Sequence, residues 1–255
     1  MASTANESQQ TVHWSFWLGL GFFIAVIIGL VSFSTYFFNE MSKDEKVPVT
    51  SITVKGEMPY TRNADIEQAL DTINLSNFIQ LDVNEVQTLI AKLPWVYSVS
   101  VRKQWPNALN IYVVDQTPVA LWNADFLINQ YGQAFQADSD RLNHKLPAFF
   151  GPEGSEHTAL ANYRNFNKLL AFSDLAIDEL VLTERFSWQL TLNDGISLNL
   201  GRENRIERIQ RFVDVYPQII EQKQENQQVD YVDLRYDTGL AVGYKTVLDK
   251  NKQRA

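Results

Sequence analysis

The residues that could do covalent or acid–base chemistry are few and scattered. The chain has three histidines, His13, His144 and His157, and no cysteine. No His-Glu-x-x-His or similar spacing gathers metal ligands on one helix face, so no metal centre is expected. Lack of cysteine removes disulfides, thiolate ligands and a cysteine nucleophile together, and is compatible with either side of a membrane. Ser155 lies in Gly-Pro-Glu-Gly-Ser, residues 151–155, which reads as a turn and not as the strand-to-helix elbow that exposes a nucleophilic serine. Pairs such as Asp138/Asp140 and Glu203/Glu207 occur in a chain with 30 acids, where they are expected on solvated faces. The expectation is a non-enzymatic protein without cofactor or metal.

The chemistry that does stand out is that of the backbone. In YVDLRYDTGLAVGYK, residues 231–245, Val232, Leu234 and Tyr236 alternate with Asp233, Arg235 and Asp237, which predicts a strand over 231–236. Asp237-Thr238-Gly239 turns the chain, and Leu240–Tyr244 forms a second short strand of mostly small residues. Residues 246–255 read as a flexible tail. A final strand with nothing after it belongs at a sheet edge. There its free N–H and C=O groups either pair with another chain or are guarded within the monomer, and both readings stay open. A net charge of −8 supplies no basic stripe for phosphates, which argues against nucleic acid.

The elements that must carry this edge begin with a membrane segment. Trp14 to Phe38 carries no charged residue, and a helix of that length rises about 37 Å against a hydrocarbon core of about 30 Å. Trp14, Trp17 and Tyr36 suit the two headgroup layers. A cleaved signal peptide fits worse: no Lys or Arg precedes the span, the apolar run is long, and Phe37-Phe38-Asn39 makes a poor cleavage site. Gly21, Ala25 and Gly29 recur at a spacing that suits close helix approach, but also simply reflect the small residues common in such helices. Lys43 and Lys46 follow the span and no basic residue precedes it, a weak vote for placing the bulk of the chain in the cytoplasm.

With 45% hydrophobic and 12% aromatic residues, the rest of the chain can bury cores. Residues 39–48 read as a linker closed by Pro48. A strand over Val49–Val54 is broken by Lys55-Gly56-Glu57; a helix over 64–73 is capped by Asn63 or Thr61; a second helix runs over 84–93 until Pro94. Strands over 95–103 and 108–114 meet at a Trp105-Pro106-Asn107 turn. Two helices on one face of a three-stranded sheet make this a small α+β module. Beyond Pro118, strands fall at 119–122, 126–129, 132–135, 179–183, 188–192, 196–200 and 231–236, with a hairpin signal at Asn193-Asp194-Gly195. Helices fit 157–173 and Arg205 to about Glu221, with Pro217 kinking or ending the second. This is a β-rich, mostly antiparallel domain with helices packed on the sheet.

Several stretches, in order, carry a resemblance: ITVKGEM at 52–58, LPWVYSVSVRKQWPNALNIYVVDQTPVALW at 93–122, LTERFSWQLTLNDGISLNLGR at 182–202, RFVDVYPQIIEQ at 211–222 and VDLRYDTGLAVGY at 232–244. The chain resembles the FtsQ/DivIB family of bacterial cell division proteins over nearly its whole length. The resemblance implies a cytoplasmic tail at 1–13, a transmembrane helix at 14–38, a linker at 39–48, a POTRA domain (β-α-α-β-β) at 49–116, a β domain at 117–245 and a tail at 246–255. It implies an inner-membrane protein of the division septum with its N-terminus in the cytoplasm, against the two-lysine vote.

The resemblance further implies that the β domain binds FtsB, itself paired with FtsL, by adding a strand of FtsB along its last strand. The matching positions are Arg235, Tyr236, Thr238, Gly239, Leu240, Ala241, Val242, Gly243 and Tyr244, with Arg202 as a basic residue facing an acid on the partner, and the helix from 205 as one wall. Other divisome membrane proteins would meet the POTRA domain and the transmembrane helix. A POTRA-type transport protein handling unfolded periplasmic substrates is the alternative, but it needs a barrel of many alternating strands that 117–245 is too short to form. A membrane-anchored wall hydrolase is a third, disfavoured by the missing catalytic constellation.

Overall fold

The structure is a computed structural model and describes residues 14–42, 47–224 and 226–246. The tail expected at 1–13, most of that expected at 246–255 and part of the linker lie outside the described residues. Helix α1 (Trp14–Ser42) contains a stretch, Trp17–Phe38, long and apolar enough to cross a membrane and buried by nothing else in the protein. A helix apolar on all sides and exposed along this stretch is suited to lipid, where its backbone satisfies itself.

The first folded body runs β1 (Ser51–Glu57), α2 (Asn63–Leu70), α3 (Val83–Ala91), β2 (Val96–Gln104) and β3 (Ala108–Asp115), the expected β-α-α-β-β order. β3 is central, parallel to β1 and antiparallel to β2. Ile66, Leu70, Val86 and Ile90 of the helices bury against Val101, Leu109, Ile111 and Val113 of the sheet. Thr53, Ser100, Arg102, Asn110 and Tyr112, on the other side of the pleat, are exposed.

Two local expectations fail here. β1 is not broken at Lys55-Gly56-Glu57; it stays in register with Tyr112, Val113 and Val114. Gly56 makes this possible at φ +131°, where a Cβ would lie 1.8 Å from the Val113 carbonyl oxygen. Nor does Thr61 or Asn63 cap α2. The Thr61 hydroxyl donates to Asp115 Oδ1 (2.6 Å) and its N–H to Oδ2 (2.8 Å), while Arg62 takes the cap position and its N–H donates to Asp65 (2.9 Å). α3 starts conventionally, with Asp82 accepting from the Asn84 N–H (2.8 Å).

The second body comprises β4 (Pro118–Trp122), β5 (Phe126–Asn129), β6 (Ala134–Phe135), β7 (Ala148–Phe150), α4 (Glu156–Leu170) with a 3₁₀ turn at Ala171–Ser173, β8 (Ile177–Leu182), β9 (Trp188–Leu192), β10 (Ser197–Gly201), α5 (Arg205–Gln222), β11 (Gln227–Asp233) and β12 (Ala241–Thr246). They form one sheet ordered β12-β11-β10-β9-β8-β7-β4-β5-β6, in which five of the eight pairings are antiparallel. Its core includes Phe149, Phe166, Leu180, Trp188, Leu198, Phe212 and Val232. β7 was not foreseen, and the strand expected at 132–135 shrinks to two residues. α5 continues through Pro217 to Gln222.

A small third cluster joins the two bodies. The Trp95 ring stacks on Tyr60 (centroids 4.3 Å apart) and meets Phe135 edge-on (5.7 Å), beside Leu127 and Leu146. Arg141 reaches from the second body to Asp65 (2.6 and 3.2 Å) and to the Tyr60 carbonyl (2.8 Å). Those hydrogen bonds hold the Asp65 carboxyl below its ordinary range, outweighing a smaller opposing effect of burial. A lowered folded pKa means the contribution is complete above the ordinary value of about 3.9 and is lost as pH falls through the folded value.

Two stability outcomes follow for denaturation of the detergent-solubilised chain, read by tryptophan fluorescence. Gly56→Ala should cost about 2 kcal/mol or more, because strain at positive φ adds to the clash with Val113. Asp65→Asn should cost about 1–2 kcal/mol at neutral pH, and the difference from wild type should shrink as pH is lowered below about 4.

Candidate functional site

β12 is the terminal strand of the nine-stranded sheet, and among the described residues it is hydrogen-bonded to β11 on one side only. A strand so placed leaves alternate N–H and C=O groups directed away from the sheet, where another chain's backbone can satisfy them. The opposite edge, β6, is only two residues long and offers little to pair with.

The approach to β12 differs from the pattern read in the sequence. β11 occupies Gln227–Asp233, not 231–236, so Arg235 and Tyr236 lie in the reversal between strands. Two interactions fix the chain at this point, one that continues the pairing with β10 and one within two residues. The Leu234 N–H donates to the Asn199 carbonyl (2.9 Å), and Asp233 accepts from the Arg235 backbone N–H (3.1 Å) and guanidinium (2.6 to 3.1 Å). Val232 and Leu234 are fully buried as the alternation requires, but Tyr236 is 58% exposed.

Helix α5 shapes the reversal. Arg208, buried, donates to the carbonyls of Leu200 (2.5 Å) and Arg235 (3.1 Å). Arg211 Nη1 donates to the carbonyls of Tyr236 (2.9 Å), Asp237 (3.1 Å) and Gly239 (3.0 Å). The helix is pinned further along, where the Tyr216 hydroxyl donates to Asp194 in the β9–β10 turn (3.0 Å); burial first and this hydrogen bond second push Tyr216 up to about 12. Neither Arg208 nor Arg211 was singled out from the sequence, although Arg205, Arg208 and Arg211 recur at three-residue spacing and so share one side of α5.

The other expected residues cluster around the same edge. Arg202 is exposed, just beyond Gly201, and the aliphatic part of Arg235 lies over Gly201, where an added Cβ would come within 3.3 Å of Arg235 Cγ. Arg208 Nη1 lies near the same point, so the end of β10 is bounded by Arg208 and Arg235. Arg235 is already paired: its hydrogen bonds hold Asp233 below the usual carboxylate range, outweighing burial. Thr238 and Gly239 form the turn, and Leu240 and Val242 pack against the core.

Gly243 and Gly239 have different surroundings. A Cβ on Gly243 would lie 2.2 Å from the Tyr231 ring, so the vacant side-chain space is filled by the chain's own tyrosine; Gly239 has no atom within 4 Å of that position. Gly243 pairs with Tyr231 and Tyr244 with Val229, so Tyr231 and Tyr244 flank the open strand from opposite faces. Tyr231 was missed because its neighbours assigned it only a place in alternation. Among the described residues, no group of three His, Cys, Asp or Glu side chains could hold a metal.

Residues 47–116 match the family described as POTRA domain, FtsQ-type, and residues 120–235 match Cell division protein FtsQ/DivIB, C-terminal. The second match stops before Tyr236 and β12. Over most of its length the chain is similar to proteins named cell division protein FtsQ. The Shewanella oneidensis relative is 39% identical over 94% of this chain and 90% of its own length. That of Escherichia coli strain K12 is 39% identical over 89% and 83%, and that of Vibrio cholerae 35% over 89% and 86%.

Arg211→Ala should leave the core folded but loosen the reversal, because three carbonyls lose their donor. Chymotryptic cleavage after Tyr236 should accelerate clearly over wild type, with the circular dichroism spectrum unchanged; an unaltered cleavage rate would show that the turn holds itself.

Proposed function

The chain belongs to the FtsQ/DivIB family of cell division proteins, and from that premise we propose that it is a membrane-anchored scaffold whose strand β12 accepts a strand of FtsB, itself paired with FtsL. Through that joint it links early and late division proteins and helps control when septal peptidoglycan synthesis begins. Residues 1–13 lie in the cytoplasm, 14–38 cross the inner membrane, 39–48 form a linker, and a POTRA domain over 49–116 and a β domain over 117–245 stand in the periplasm at the septum. Other divisome membrane proteins meet the POTRA domain and the anchor.

The observation that carries this proposal is the open β12 edge, presented beyond a reversal that α5 holds in place. Strand addition needs a backbone that is already extended, so that the incoming segment alone is ordered on binding. Tyr236 and Tyr244, both exposed, supply aromatic surface beside the edge. Arg202, which forms no ion pair among the described residues, offers a free cation to an acidic partner residue, whereas Arg235 must share its charge with Asp233.

The test is a titration of the full chain in lipid nanodiscs with a peptide from the periplasmic end of FtsB. Tyr236→Glu should weaken binding at least about tenfold, a loss of about 1.4 kcal/mol, while the protein stays folded. Arg202→Ala should weaken binding less, and the deficit should fade at high salt. Equal binding by wild type and Tyr236→Glu contradicts the site.

A further inference from the structure

A second exposed apolar surface lies at the other end of the molecule's logic, beside the point where the chain arrives from the membrane. Trp105, in the turn between β2 and β3, is 70% exposed, and Ile79, in the loop between α2 and α3, is 57% exposed. Both are braced. The Trp105 ring stands edge-on to fully buried Phe78, with centroids 5.2 Å apart. Lys103 Nζ donates to the Ile79 carbonyl (3.0 Å) and lies 5.4 Å from the centre of the Phe78 ring. A braced, solvent-facing indole and isoleucine at one tip suit a partner with an apolar interior and a polar boundary.

The tether enters at the same pole. The Phe78 N–H donates to the Val47 carbonyl (2.7 Å), the Val49 N–H to the Leu75 carbonyl (2.9 Å), and the Thr50 N–H to the carbonyl of Asn107 (3.0 Å), in the same turn as Trp105. From Phe38, the last residue of the apolar span, α1 continues to Ser42 and rises about 6 Å. The steps from Ser42 to Val47 cover at most about 18 Å. The headgroup layer on that side takes up about 5–8 Å of this reach. Whichever way the span points, Val47, beside the tip, is leashed within about 25 Å of hydrocarbon.

We propose that Trp105 and Ile79 form a lipid-contacting tip that beds into the headgroup layer of the bilayer spanned by α1. Tryptophan is the side chain best suited to that layer, with its ring toward the acyl boundary and its N–H toward water. The tether residues Glu40, Lys43, Asp44, Glu45 and Lys46 nearly cancel in charge, so apolar insertion and not attraction to anionic lipid holds the tip. The contact turns a short leash into an oriented mounting for the first body. It is independent of what β12 binds.

The chain has no cysteine, so single reporters can be placed without background. Nitroxide labels at Ile79→Cys, Trp105→Cys and, as a control on an exposed residue of the second body, Phe186→Cys would be compared in the full chain reconstituted into phosphatidylcholine vesicles. Collision with oxygen, which concentrates in lipid, should dominate over collision with an aqueous nickel chelate at 79 and 105, with the reverse at 186. Adding Trp105→Ser to Ile79→Cys should shift the label at 79 toward the nickel chelate. Labels at 79 and 105 as open to nickel as the control, or shielded from both reagents by protein, would overturn the proposal. So would a label at 79 that ignores the loss of Trp105.

Discussion

A chain that leaves one strand and returns as the next exposes carbonyls that neither strand can satisfy, and β12 depends on how that problem is solved. Arg208 and Arg211 solve it from α5, donating to the carbonyls of Leu200, Arg235, Tyr236, Asp237 and Gly239. A guanidinium is suited to the task because its donors are fixed in a plane and its charge persists at any physiological pH. Asp233 is held ionised chiefly by its hydrogen bonds to Arg235, with Arg208 adding a smaller favourable effect. Helix, reversal and edge strand are therefore one unit.

That unit is mounted on a continuous scaffold. β12 pairs with β11, β11 runs parallel to β10, and the sheet extends without a break to β4, which follows directly from β3 of the first body. The Tyr60–Trp95–Phe135 stack and the Arg141–Asp65 pair close the seam between the bodies. Family membership makes the chain a division-associated membrane protein, and its architecture connects an anchor at one end to a strand edge at the other.

Much of this was legible in the sequence because it is local. The β-α-α-β-β order, the Asn193-Asp194-Gly195 hairpin and the helix at 205 follow from periodicity and turn chemistry. What failed depends on distant partners. Thr61 has the chemistry of a cap, but Asp115, far along the chain, takes its hydroxyl. Gly56 resembles a strand breaker until the Val113 backbone packs against it. β7 is three residues held by parallel neighbours on both sides, which no local pattern encodes. At the candidate site, the strand over 240–244 and the turn before it were readable from residue type. The end of β11 was not, because the Asp233–Arg235 pair and the Asn199 carbonyl decide it.

The most direct measurement is amide hydrogen exchange along residues 241–246, with and without saturating FtsB peptide. In the free protein, amides of β12 directed away from β11 should exchange rapidly, and on binding they should become protected in an alternating pattern. Protection confined to the first body, or to side-chain neighbours without that alternation, would contradict strand addition at this edge.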